Sequence, residues 1–146
     1  MVEPTKQVKR IPVIRNLKLS EDGSKGVLIG RRCRKCGEYL SGAPVFCLNC
    51  SSNELDPVEF GQQGVLRTYT ITYVPPSGWT GDVPYILGSV ELREGIEVLS
   101  EVIDCPKEAI KIGMPMKLVL KVGGLDSEGN ELMVQKWQPV NLEGNK

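Results

Sequence analysis

The sequence contains no histidine. That absence removes the commonest general base near neutral pH and every Ser–His or Cys–His nucleophile pair. A self-sufficient acyl-transfer enzyme is therefore not expected. Aromatic residues make up only 5% of the 146 residues, and 18 basic side chains balance 18 acidic ones. A nucleic-acid binder ordinarily carries a basic excess and stacking aromatics, so a single-stranded nucleic-acid module is the lesser alternative. No apolar run approaches the ~20 residues that span a bilayer, so no membrane association is expected. Met1 to Arg10 is polar and does not read as a secretory signal. A cytoplasmic location with reduced thiols is the expectation.

Cysteine is what the chain does have, and in a pattern. Cys33-Arg-Lys-Cys36-Gly37 is followed by Cys47-Leu-Asn-Cys50, a C-x2-C-x10-C-x2-C spacing. Each C-x2-C can fold into a knuckle whose sulfurs converge, and two knuckles supply the four tetrahedral thiolates of a closed Zn²⁺ site. Cys33, Cys36, Cys47 and Cys50 are the expected ligands. Two disulfides are the bland rival, disfavoured by the expected reducing compartment. Iron is the chemical rival, because thiolates suit it too. With all ligands from protein, no coordination position remains for substrate, so the metal is expected to be structural.

Arg31, Arg32, Arg34 and Lys35 crowd this motif. They offset the anionic charge of four thiolates on a divalent ion, or they meet the phosphates of a ligand such as coenzyme A. The fifth cysteine, Cys105, precedes Pro106. It reads as a packed small side chain or, less readily, as an activated thiol.

Along the chain, residues 1–26 read as an N-terminal arm, either solvated or extended on a partner. Val27–Arg32 is a strand leading into the first knuckle, and Leu55, Val58 and Phe60 begin a return strand, so 27–61 forms the metal module. Residues 62–140 form a β-domain, and 141–146 a polar tail. Strands are expected at 65–74, 85–92, 96–103, 115–122 and 130–138 from their β-branched and aromatic content and their bounding turns. On the first, Leu66, Thr68, Thr70, Thr72 and Val74 share one face, and Val65, Arg67, Tyr69, Ile71 and Tyr73 the other. Between Asp104 and Gly113, Pro106 and Gly113 suit the two ends of a short helix. Five strands with a helix after the third follow the order of an OB-fold, although the pattern also permits another small barrel. Leu87, Val90, Leu92, Val98, Val102, Ile110, Leu118, Leu120, Val122 and Val134 are the expected core. Trp79, in a Pro/Gly-rich loop, is either a lid on its own barrel or a contact anchor.

Taken together, Leu28, Gly30, Arg32-Cys33-x-x-Cys36-Gly37, Cys47-x-x-Cys50, Gly64-Val65, Tyr69-Thr70, Pro84-Tyr85, Val90-Glu91-Leu92-x-x-Gly95 and Ile112-Gly113-Met114-Pro115 resemble an acyl-CoA-associated family. That family joins a rubredoxin-like zinc ribbon to a C-terminal OB-fold, and its members are accessory subunits of thiolase-superfamily enzymes. The resemblance implies a mainly β protein: a zinc ribbon followed by a five-stranded OB-fold barrel with one short helix. It implies a subunit without catalytic residues of its own. Such a subunit docks on a thiolase-like partner and helps hold coenzyme A or acyl-CoA while the partner cleaves or forms a C–C bond. A scaffold linking a thiolase to a hydroxymethylglutaryl-CoA synthase is the related alternative. Arg31, Arg32, Arg34 and Lys35 are then candidates for CoA phosphates, and Trp79 and Tyr85 for adenine or interface contacts. The sequence departs from the family at Leu48 and Val45, where Pro and a basic residue are common, and in lacking an evident N-terminal helix.

Overall fold

A computed structural model of the protein describes residues 9–140. The arm residues 1–8 and the tail 141–146 lie outside the described residues. The elements are β1 (Arg10–Pro12), β2 (Leu17–Leu19), β3 (Gly26–Cys33), β4 (Tyr39–Ser41), β5 (Leu55–Glu59), β6 (Gln63–Thr72), β7 (Tyr85–Leu92), β8 (Glu97–Val102), β9 (Pro115–Leu125) and β10 (Glu131–Pro139).

The last five strands close on themselves in the order β8-β7-β6-β9-β10, with β10 returning to β8. Parallel β8–β10 pairing beside antiparallel neighbours completes the OB-fold barrel. Closure leaves β10 and β8 joined by a single bridge, Trp137 opposite Val102. The smaller sheet is built on β3, which pairs with β2, β4 and β5 and carries Cys33 at its end.

The core explains why the two sheets hold together. Leu17, Leu28 and Phe60, from the ribbon side, are buried in one cluster with Leu66, Val90, Leu92, Met116 and Trp137 of the barrel. Gly30 permits this close approach: a Cβ there would lie 2.1 Å from the Leu40 carbonyl and 2.6 Å from the Phe60 ring. The cysteine end has a much smaller cluster of Cys33, Leu40 and Cys47, with Leu55 against it. So little apolar burial cannot hold a module of that size without a covalent or metal staple.

Four sequence expectations change here. Part of the arm is built into the fold. Arg10–Pro12 runs parallel to Glu131–Met133, and Leu17–Leu19 pairs with β3. The alternation along β6 breaks at a bulge between Leu66 and Thr68. Arg67 is the extra residue, which brings Tyr69 and Ile71 to the same side as Leu66, opposite Gly88, Ile86 and Val90. No helix occurs among the described residues, and Asp104–Gly113 is a chain of turns. Ala109 N–H donates to Pro106 and Met114 N–H to Lys111, while Ile110 is buried and Ile112 is 66% exposed. One fully buried side chain, with Cys105 partly buried against the core, does not offset the cost of helix nucleation.

The core membership also shifts. Val90, Leu92, Val102 and Ile110 are buried, and Val98, Leu118 and Leu120 pack against them. Ile86 rather than Leu87 points inward, and Val122 is 48% exposed. Trp137 and Met116, both outside the expected list, are fully buried.

Candidate metal centre

The two knuckles repeat one backbone pattern, 14 residues apart. Cys33 N–H donates to the Glu38 carbonyl at 2.9 Å, and Gly37 N–H to the Cys33 carbonyl at 3.0 Å. Likewise Cys47 N–H donates to Ser52 at 2.8 Å, and Ser51 N–H to Cys47 at 2.9 Å. The residue after each pair must turn left-handed to close the loop. Gly37 does so at φ 81°, and Ser51, without glycine's freedom, at φ 65°.

The four sulfurs of Cys33, Cys36, Cys47 and Cys50 lie within 4.8 Å of one another. Cys33 Sγ is 3.6 Å from Cys50 Sγ, and Cys36 Sγ is 3.5 Å from Cys47 Sγ. A tetrahedron with Zn–S bonds of ~2.3 Å has sulfur–sulfur edges of about 3.8 Å. The cage therefore fits one tetrahedral ion, and the cysteines could hold a metal. Disulfide bonding is absent: all four thiols are free at these separations.

Backbone amides point at the sulfurs, as a thiolate cluster needs. Asn49 N–H donates to Cys47 Sγ at 3.4 Å. Hydrogen bonds from the Cys36 and Lys35 amides draw the Cys33 thiol down to about 6. Cys36 is also drawn down, by Asn49 and the Glu38 amide. Cys50 accepts from the Ser52 amide, yet burial and the three neighbouring sulfurs push it up to about 11. A bound divalent ion would offset the charge of thiolates grouped this closely.

The surrounding cations are dispersed. Arg31 Nη1 donates to the Pro44 carbonyl at 2.9 Å, bracing the chain between the knuckles. Arg32 donates to the Gly37 carbonyl and lies 5.1 Å over the Tyr39 ring. Arg34 pairs with Asp56 at 2.9 Å. Lys35 is exposed and has no ion pair among the described residues. A 360 Å³ groove beside β3 takes in Arg31, with Lys18 and Glu59, but none of the other three.

Trp79 stacks on Tyr85 of its own barrel, with ring centroids 4.1 Å apart and planes 22° from parallel. Its Nε1 donates to the Asp82 carbonyl at 3.2 Å. Cys105 packs against the core, and burial pushes its thiol up, away from nucleophilic character. What sequence reasoning passed over is the surface of the second knuckle. Val45, Phe46 and Leu48 are 68%, 58% and 88% exposed around buried Cys47. The signal was present in the sequence as large apolar residues in a turn that has no core to receive them.

Comparison with known proteins places this architecture. Residues 57–121 match the family model described as "ChsH2, C-terminal OB-fold domain". A DUF35 domain-containing scaffold protein of Pyrococcus furiosus is 35% identical over 114 residues, covering 77% of this chain and 83% of its own. The chain belongs to the DUF35 family. Another relative of this DUF35 protein is the benzoylsuccinyl-CoA thiolase subunit BbsA of Geobacter metallireducens, 32% identical over 58% of this chain and 56% of that one. Among solved structures, the Ltp2-ChsH2(DUF35) aldolase is 28% identical with a TM-score of 0.61, covering 77% of this chain and 84% of that chain. The match to the scaffold protein covers 77% of this chain, more than the 57–121 segment of the OB-fold model. No helix among the described residues is long and apolar enough to cross a membrane.

Proposed function

We propose that this DUF35 protein is a non-catalytic accessory subunit of a thiolase-superfamily complex. It docks on the catalytic chain in the cytoplasm and is stapled by structural zinc at Cys33, Cys36, Cys47 and Cys50. The observation that carries the reading is the apolar tip of the second knuckle. Val45, Phe46 and Leu48 stand exposed on a turn held rigid at Cys47, the kind of patch that marks a protein–protein contact. The names of the relatives support the class of partner: one is a scaffold protein, one a thiolase subunit, and one a component of an aldolase.

When bound, zinc supplies rigidity and no Lewis-acid site, because four thiolates complete its coordination. The chain's own residues then act by position. Cys33 and Cys36 anchor the end of β3, and Cys47 and Cys50 fix the apolar tip. Arg31, Arg32, Arg34 and Lys35 offset the charge of the thiolate cluster. For the phosphates of a shared acyl-CoA, Lys35 is the member of that group with no ion pair or side-chain hydrogen bond among the described residues. The partner carries the nucleophile and the acid–base groups for cleaving or forming a C–C bond in a β-ketoacyl-CoA. An aromatic-degradation thiolase such as benzoylsuccinyl-CoA thiolase is the specific case that the BbsA similarity favours.

The test is purification of tagged full-length chain from its native host. A thiolase-superfamily enzyme should co-purify in fixed stoichiometry, and acyl-CoA turnover should require both chains. Thioester turnover by this chain alone, or a stoichiometric partner of another enzyme class, would overturn the reading.

A further inference from the structure

The barrel has a weak seam. Strands β8 and β10 share a single backbone bridge, Val102 opposite Trp137, where Ile103 N–H donates to the Trp137 carbonyl. Before that bridge they part, and a cleft of about 590 Å³ opens between them. Two buried polar atoms sit at this cleft with no hydrogen-bond partner among the described residues: Ser100 Oγ and Gln135 Oε1. Ser100 is 92% buried, being only 8% exposed. An unsatisfied buried polar atom is costly, and here two of them belong to residues that line one opening.

The rest of the cleft complements them. Leu99 is 62% and Val122 48% exposed on its apolar wall, and Trp79 stands at the rim. Glu101 and Lys136 pair across the seam at 2.5 Å, which leaves no surplus charge. Leu99 shares the strand parity of Ile103, so its backbone N–H and C=O face the β10 side. No strand lies opposite Leu99 on that side among the described residues.

We propose that the β8–β10 seam binds a secondary amide of an extended peptide segment from a partner protein. One amide offers a carbonyl to the Ser100 hydroxyl and an N–H to Gln135 Oε1. The continuing peptide backbone pairs with the β8 edge at Leu99, and its apolar side chains lie against Leu99 and Val122. A nucleic-acid strand fits less well, because Lys136, the cation among the described residues that line the cleft, is already paired with Glu101. Parting of the seam to admit the peptide is resisted by one strand bridge, the Glu101–Lys136 ion pair and the hydrogen bond from the Trp137 indole to the Val98 carbonyl. This site is independent of the knuckle tip, so its failure leaves the accessory-subunit reading untouched.

The experiment is an NMR titration of the full chain with N-acetyl-leucine-N′-methylamide. Shift changes are expected at Leu99, Glu101, Gln135 and the Trp79 indole. The matching diester, methyl 2-acetoxy-4-methylpentanoate, which has no amide N–H, should bind at least tenfold more weakly. The Ser100→Ala/Gln135→Leu double variant should lose at least tenfold in amide affinity while its thermal midpoint holds or rises, because the unsatisfied atoms are gone. Equal binding of amide and diester, shifts elsewhere, or shifts at the seam with oligo-dT but not with the amide would overturn the proposal. So would a lowered midpoint in the double variant, which would mark the two groups as satisfied structural ones.

Discussion

Trp137 Nε1 donates to the carbonyl of Val98 at 3.1 Å, across the interior of the barrel. The indole is fully buried, and its own strand supplies the one bridge that closes β10 on β8. Apolar filling, hydrogen-bond satisfaction and barrel closure thus converge on one residue. Trp137→Phe keeps much of the volume but leaves the Val98 carbonyl without this donor, and should cost about 1–3 kcal/mol. Trp137→Ala should cost about 3–5 kcal/mol and loosen the seam first. Urea unfolding followed by far-UV circular dichroism measures both; equal midpoints for wild type and Trp137→Phe would contradict the assignment.

Removal of the metal should act on one end of the molecule. The ribbon's own cluster is Cys33, Leu40 and Cys47, whereas Leu17, Leu28 and Phe60 belong to the barrel core. A strong chelator, or Cys36→Ser, should therefore unfold residues around 33–55 and leave the barrel strands protected. Hydrogen exchange should show rapid loss of protection at Cys33, Gly37, Cys47 and Ser51, with β7 and β9 little changed. A native ribbon in metal-free protein would argue against the staple.

The twin knuckles predict opposite responses at matching positions. Gly37 has φ 81° with only the Arg32 guanidinium near a built Cβ, at 3.7 Å. Gly37→Ala should thus be a pure backbone penalty of about 1–2 kcal/mol. Ser51 holds φ 65°, so Ser51→Gly relieves strain and should leave stability level or slightly raised. Thermal midpoints of the zinc-loaded variants give the comparison.

At the knuckle tip, Phe46→Asp and Leu48→Asp should leave folding nearly unchanged. Both side chains are exposed, at 58% and 88%, and such surface changes usually fall within about 0.5 kcal/mol. Association with the catalytic partner should weaken by tenfold or more if these residues anchor it. Sedimentation velocity of the mixed chains reads the loss directly. Unchanged assembly would move the interface elsewhere.

The exposed Asp22 loop carries a pH signature of a different kind. Hydrogen bonds from the Ser24 amide and hydroxyl and from the Ser20 hydroxyl hold the Asp22 carboxyl well below the usual range. A depressed folded-state value contributes stability above the unfolded value near 3.9, lost as pH falls through the folded one. Asp22→Asn should reduce stability at neutral pH and flatten the dependence between about pH 4 and pH 2. A variant whose acid profile parallels wild type would show that the loop does not contribute.

Local chemistry was readable from the residues in order. Two C-x2-C pairs form knuckles because each closes through hydrogen bonds within six residues, and Tyr85–Leu92 is a strand because its alternation and bounding turns are local properties. What needed the tertiary structure was anything decided by a distant neighbour. Arg67 becomes the extra residue of a bulge only because β7 lies beside it, and that one residue moves Ile71 to the inner face. Arg10–Pro12 becomes a strand only because Glu131–Met133 offers it an edge 121 residues away. The loop from Asp104 to Gly113 stays in turns because the barrel receives Ile110 and leaves Ile112 outside. Spacing along a chain specifies which atoms can meet nearby; only the closed barrel decides which faces water and which edge stays open.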